Sequence, residues 1–256
     1  MKDQFQDYLK SISNGLFGRQ FPYYTTKEEG PGAYPIGEMV QNLCKIEDAE
    51  WYKYAFSREP LNGRFSDETR AELTRKALEC GERVAGDCVL RYGTNDPAAI
   101  AEKLELTVTY PNKPQNASRV LFAEFREPDN IRVYTDSVTR AEELFSEPGV
   151  VTALGENLNI SRVLLAHEIF HYIEEQEQKD IWTRTYKIKL WAIGPLRNYS
   201  RVLALGEIAA MGFCKKITGL NYSPYVMDAF LMYGYSQEAA GALYREMMTL
   251  AGKTVD

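Results

Sequence analysis

Between residues 66 and 91, in SDETRAELTRKALECGERVAGDCVLR, apolar positions fall at Leu73, Ala77, Cys80, Val84, Cys88 and Leu90. Intervals of mostly three and four predict a helix with one buried stripe, and Ser66 ahead of Glu68 predicts its N-cap. NDPAAIAEKLEL predicts a second helix, opened by Asp96 with Pro97 in its first turn. The period then shortens to two. Three strand-like runs follow, ELTVTY (105–110), RVLFAEF (119–125) and NIRVYTD (130–136), separated by PNKPQNAS and REPD. The short second connection predicts at least one antiparallel pair.

SVTRAEELFSE returns to helical spacing, with Ser137 as the expected cap. Residues 159–177 predict a strong helix, NISRVLLAHEIFHYIEEQE. IWTRTYKIKLWAIGPLRNYS fits helix and strand equally well, and Gly194-Pro195 breaks it. VLALGEIAAMGFC opens a helix expected to end near Gly219. Two more helices close the chain, starting at Ser223-Pro224 and at Ser236. Helices, a small sheet and then helices make an α+β fold. Residues 1–65 read as an N-terminal helical extension or lid, with DQFQDYLKSI and GEMVQNLCKIEDAEWYKYAF around the Gly/Pro-rich EEGPGAYP. Residues 66–256 form the expected main domain.

Composition narrows the function. Of 256 residues, 45% are apolar and 26% charged, the balance of a soluble globular chain. A net charge of −6 argues against nucleic acid as the main partner, and residues 38–60 are too acidic for a DNA-reading helix pair. The first twenty residues lack a basic segment followed by an apolar one, and no run of about eighteen apolar residues occurs. The expectation is a cytoplasmic protein with no membrane span. Cys44, Cys80, Cys88 and Cys214 form no C-x-x-C pair, so they are expected as free thiols rather than zinc ligands or disulfides.

Histidine is the informative residue. The chain has only two, and both lie in AHEIFHY as His167 and His171, with Glu168 between them. On a helix, positions i and i+4 share a face, so two imidazoles one turn apart can grip one metal ion. Glu168 is rotated about 100° from His167, beside the ion rather than on it. That placement suits a general base acting on water held by the metal, the arrangement of H-E-x-x-H zinc hydrolases.

A catalytic zinc needs a third protein ligand, and no third histidine exists. Glu207 is the one charge in VLALGEIAAMGFC, residues 202–214. A bare carboxylate in an apolar helix must be paired, bind a metal or take up a proton. A zinc ion held by His167, His171 and Glu207 meets both needs. Glu174, Glu175, Asp180 and Cys214 are weaker ligand candidates: the EEQEQKD run reads as a solvated helix end, and Cys214 as core. Ion pairing with Arg162 or Arg201 is the alternative role for Glu207. Tyr186, Tyr199 and Arg201 are candidates for stabilising a developing oxyanion.

NDPAAIAEKLELTVTY, NIRVYTD, RVLLAHEIFHYI and GEIAAMGFCKKI, in that order, resemble the ImmA/IrrE-type metallopeptidases, a gluzincin-like group. The resemblance covers roughly residues 95–220. It rests on the H-E-x-x-H helix and on a downstream E-x-x-A-x-x-F-A helix, matched here by Glu207, Ala210 and Phe213, with Cys214 in place of the last Ala. Met211 stands where the group often carries Asn or Asp. The resemblance implies a zincin-like fold, with a small mixed or antiparallel sheet, then an active-site helix and a mainly helical C-terminal part. It also implies an intracellular zinc peptidase acting on a protein or peptide substrate such as a regulator. The expected chemistry is peptide-bond hydrolysis by water on zinc, with Glu168 as base. A zinc-binding sensor or interaction module with little peptidase activity is the alternative.

Overall fold

A computed structural model describes residues 34–112, 121–193 and 196–255. The expected helix in DQFQDYLKSI and most of EEGPGAYP lie outside the described residues. The fold is α+β: a small mixed three-stranded sheet and a two-stranded hairpin among helices.

The described N-terminal part carries α1 (Ile36–Leu43) and α2 (Tyr52–Phe56). Ile36, Met39, Val40, Leu43, Trp51, Tyr54 and Phe56 are buried in the same core as the rest of the molecule. Helix α3 (Asp67–Tyr92) begins at Ser66, whose hydroxyl accepts from Thr69 N–H at 3.2 Å, and ends at the left-handed Gly93. Helix α4 (Pro97–Lys103) follows, with Pro97 in its first turn. Strands β1 (Thr107–Thr109), β2 (Ala123–Arg126) and β3 (Asn130–Val133) form a sheet in the order β1-β3-β2. The β2–β3 pair is the antiparallel one, with Phe125 opposite Ile131, and β1 joins β3 in parallel. β2 is therefore an edge strand.

Helix α5 (Thr135–Glu143) starts earlier than expected, and Ser137 is not its cap. Ser137 is buried and its hydroxyl donates to Leu121 C=O and meets Tyr235 Oη at 2.9 Å. Tertiary partners claim it before a capping role can. The short α6 (Val150–Leu154) leads to α7 (Ile160–Gln176), capped by Asn159, which accepts from Arg162 N–H at 3.0 Å. α7 buries Val163, Leu164, Leu165, Ala166, Ile169, Phe170 and Ile173, so it is covered on nearly every side. The ambiguous stretch resolves into a single helical turn, α8 (Trp182–Thr185), and an antiparallel hairpin of β4 (Lys187–Ile193) and β5 (Leu196–Arg201). Helix α9 (Ala204–Thr218) ends at the left-handed Gly219. Helices α10 (Val226–Tyr233) and α11 (Gln237–Leu250) close the chain, the latter capped by Ser236.

Helix α9 lies between α3 and α7. Successive residues turn by about 100°, so Glu207 and Cys214 point one way while Ala209 and Gly212 point the other. On one side the Cys214 thiol reaches Val163 C=O of α7 at 3.4 Å. On the other, α9 meets α3 backbone to backbone. A Cβ added at Gly81 of α3 would lie 1.9 Å from Ala209 C=O oxygen, and one at Gly212 would lie 2.6 Å from Leu78 C=O oxygen. Two glycines thus set the depth at which α9 presents Glu207 to α7.

Candidate metal centre

His167, Glu168 and His171 project from the middle of α7, where the apolar sequence buries them: His167 and Glu168 have no solvent exposure. Glu207 comes from the first turn of α9. His167 Nε2 and His171 Nε2 lie 2.9 Å apart. Glu207 Oε2 is 3.5 Å from His167 Nε2, and Oε1 is 3.5 Å from His171 Nε2. Among the described residues, these three form a His/Cys/Asp/Glu group able to hold a metal ion, with ligand atoms within 4.8 Å of one another.

The donor set fits a divalent ion. Tetrahedral zinc with bonds of about 2.0–2.2 Å sets its ligand atoms about 3.3–3.5 Å apart. Both carboxylate–imidazole separations meet that spacing, and the two rings need to open by only a few tenths of an ångström. The charges agree. Burial pushes the His171 pKa down, yet Glu207, Glu174 and Glu168 overcome it and hold the ring up to about 9. Three carboxylates around two imidazoles make a site that favours positive charge.

Glu168 is held beside the triad rather than in it. Its Oε2 accepts the backbone N–H of Phe125, on edge strand β2, at 2.7 Å. Its Oε1 is buried, and no donor among the described residues reaches it. Burial raises the Glu168 pKa to about 7; His171 works against the rise, Glu207 adds to it, and the Phe125 N–H works against it. One oxygen is therefore pinned, and the other is free to take a proton.

Two supporting roles escaped the sequence reading. Glu174 is buried, not solvated, and its carboxylate faces His171. Its Oε2 lies 4.0 Å from His171 Nδ1 and 3.1 Å from Arg184 Nε, while its Oε1 accepts from the Thr183 hydroxyl at 2.6 Å. Burial opposes ionisation of Glu174, but His171, Arg184 and Thr183 outweigh it and keep its carboxyl below the usual range. Gly206 makes room for this carboxylate, since a Cβ there would sit 2.8 Å from Oε1. The position three residues after His171 was a signal for Glu174, but turn α8 covers it from outside the helix. Glu59 is the second. It accepts from Ala204 N–H and Leu61 N–H, both at 3.0 Å, and so caps α9, whose own N-cap Leu203 has no side-chain acceptor to offer. Nothing local in the sequence marked it.

The remaining candidates separate. Glu175 pairs with Arg184 at 2.9 Å and Asp180 is exposed; neither joins the triad. Burial pushes the Cys214 thiol up to about 12, and it packs in the core. The four cysteines are free. Arg162 lies 3.7 Å from Asp96 instead of serving Glu207. Of the three oxyanion candidates, Arg201 lines the cleft at the triad, whereas Tyr186 stacks on Trp182 and Tyr199 stands on the hairpin. That cleft is about 480 Å³ and open to solvent, with His171, Glu174 and Glu207 on one wall and Phe125 and Arg126 of β2 on another.

No family model matches the sequence, and no solved structure matches it. A known protein with similarity to the chain is the mitochondrial ATP-dependent RNA helicase SUPV3L1 of Danio rerio, 25% identical over 134 residues. The match covers 49% of this chain and 16% of that protein, so the chain spans less than a fifth of its relative. A match of this identity and span transfers no activity. No described helix is long and apolar enough to cross a membrane.

Proposed function

We propose that the chain is a zinc-dependent peptidase of the ImmA/IrrE type, with His167, His171 and Glu207 as metal ligands and Glu168 as general base. The observation that carries this reading is the state of Glu168. Its Oε2 is tied to Phe125 N–H at 2.7 Å and no donor among the described residues reaches its Oε1, directly beside the triad. A structural zinc site has four protein ligands and needs no such base; a catalytic one has three and keeps a position open.

When bound, zinc supplies Lewis acidity, polarising the scissile carbonyl and easing removal of a proton from water. Glu168 Oε1 takes that proton and passes it to the leaving amine nitrogen, so no free hydroxide or amide anion forms. The Phe125 N–H fixes the carboxylate through both transfers. Arg201, on the cleft wall, is the cation available to a developing oxyanion. The substrate is a polypeptide in extended form beside edge strand β2, in a cleft open enough to admit a chain. Intracellular regulatory proteins are the first substrates to test.

Glu168→Gln tests the reading. It keeps the shape and the Phe125 contact but cannot accept the proton. The variant is expected to bind zinc like the native chain and to lose peptide hydrolysis by roughly a hundredfold or more, followed with fluorogenic peptide libraries. Equal turnover by the variant contradicts the mechanism. A native chain that binds zinc and cleaves no peptide favours a sensor or interaction module.

A further inference from the structure

From Ile181 to Gly206 the chain runs 26 residues without an Asp or Glu, the longest such stretch in a protein of net charge −6. Within it lie Arg184, Lys187, Lys189, Arg197 and Arg201. The pairing of β4 with β5 sorts four of these onto one face. Lys187 is opposite Arg201, Lys189 is opposite Tyr199 and Ala192 is opposite Arg197. Cross-strand partners share a face, so Lys187, Lys189, Arg197, Tyr199 and Arg201 form one side of the hairpin. Ile188, Trp191, Asn198 and Ser200 form the other.

Folding alone gives this basic face no support. Like charges directly opposite on paired strands repel. Among the described residues, no acid pairs with Lys187, Lys189, Arg197 or Arg201. The hairpin also displays Trp191, Leu196 and Tyr199, exposed at 45%, 65% and 48%. The row is continuous with the metal cleft, because Arg201 is a wall of that cleft together with His171 and Glu207.

We propose that the β4–β5 hairpin is a docking arm for an acidic segment of a polypeptide whose neighbouring residues enter the cleft. The proposal rests on the peptidase reading for what happens in the cleft, and names the substrate class that reaches it. From Arg201 to Arg197 the row spans about 14 Å, which about four residues of an extended partner cover. Its Asp and Glu side chains meet the basic face, and its apolar side chains find Tyr199. A polypeptide suits the geometry better than a nucleic acid. The cleft beyond Arg201 carries Glu127, Glu174, Glu175 and Glu207, which a neutral backbone can pass and a phosphate chain cannot without repulsion. The acid-rich part of the partner is therefore a patch a few residues from the scissile bond.

The test is fluorescence anisotropy with the full chain and two labelled peptides, one with six consecutive glutamates and one with six glutamines in the same flanks. The glutamate peptide is expected to bind the native chain in a salt-dependent way. The exposed triple variant Lys187→Glu/Lys189→Glu/Arg197→Glu is expected to lose this binding by about 30-fold, and the corresponding triple Gln variant by less. Turnover of neutral peptides and zinc content are expected to stay at native levels in both, and circular dichroism checks that they fold. Salt-dependent glutamate-peptide binding without cleavage of any peptide supports the arm while removing the peptidase. Cleavage with no preference for the glutamate peptide overturns the arm and leaves the peptidase standing. Equal binding by native chain and triple variants overturns it too, as does tighter binding of a single-stranded oligonucleotide or of phosphatidylserine vesicles through the same residues.

Discussion

Replacing Gly81 with Ala probes how packing positions the candidate metal ligands. The added methyl carbon would lie 1.9 Å from the Ala209 carbonyl oxygen and 2.8 Å from both Ala209 C and Phe213 N, all backbone atoms of α9. Ordinary contact begins near 3.4 Å, so α3 and α9 must part by about 1.5 Å. Neither helix has a flexible group there to yield. Overpacking a tight core costs about 1–3 kcal/mol, and parting the buried seam adds to that. The better helix propensity of Ala returns about 1 kcal/mol, which leaves a net loss of up to about 2 kcal/mol before the parted seam is counted. In a chain of this size a loss of about 2 kcal/mol lowers Tm by about 4–8 °C. Because α9 is held between α3 and α7, the displacement reaches Glu207, and a shift of that size is large beside a zinc–oxygen bond of about 2.1 Å. Zinc affinity is expected to fall at least about tenfold.

Gly86 is the matched control. It lies in the same helix with nothing within 4 Å of its added Cβ, so Gly86→Ala is expected to stabilise by about 0.5–1 kcal/mol. Thermal unfolding by circular dichroism and zinc competition against a chromophoric chelator read both effects. If Gly81→Ala behaves like Gly86→Ala in both assays, the close crossing does not set the ligand position.

Two other outcomes follow from particular side chains. Glu174→Gln keeps the Thr183 contact but removes the charge facing His171 and Arg184; it is expected to cost about 1–3 kcal/mol in unfolding experiments and about 10–100-fold in zinc affinity. Burial raises the thiol pKa values of Cys44, Cys88 and Cys214 to about 12, 11 and 12, so little thiolate exists at pH 8 in the folded chain. Alkylation by iodoacetamide should therefore be slow at pH 8, climb about tenfold per pH unit toward those values while the fold persists, and become fast at pH 8 after unfolding in urea.

Much of the candidate metal centre was legible because it obeys helical arithmetic. His167 and His171 are one turn apart, and Glu207 stood out as a lone charge among apolar neighbours. The cap at Ser66 and the stop at Gly219 were legible for similar local reasons. What was hidden depends on distant chain. EEQEQKD reads as solvated until the Trp182–Thr185 turn covers Glu174. Glu59 caps a helix 145 residues away, which no local pattern records. The hairpin was ambiguous because Lys187–Arg201 lies mostly outside the core, where burial imposes no clean alternation of apolar and polar residues. Ser137 had the chemistry of a cap but was claimed by Leu121 and Tyr235.

Metal content of the purified full chain, compared with that of Glu207→Ala, tests the central claim most directly. After zinc loading and dialysis against a weak chelator, elemental analysis is expected to find one zinc per native chain and far less in the variant. A native chain that retains no divalent metal, or a Glu207→Ala chain that retains one zinc at native affinity, contradicts a centre built from His167, His171 and Glu207.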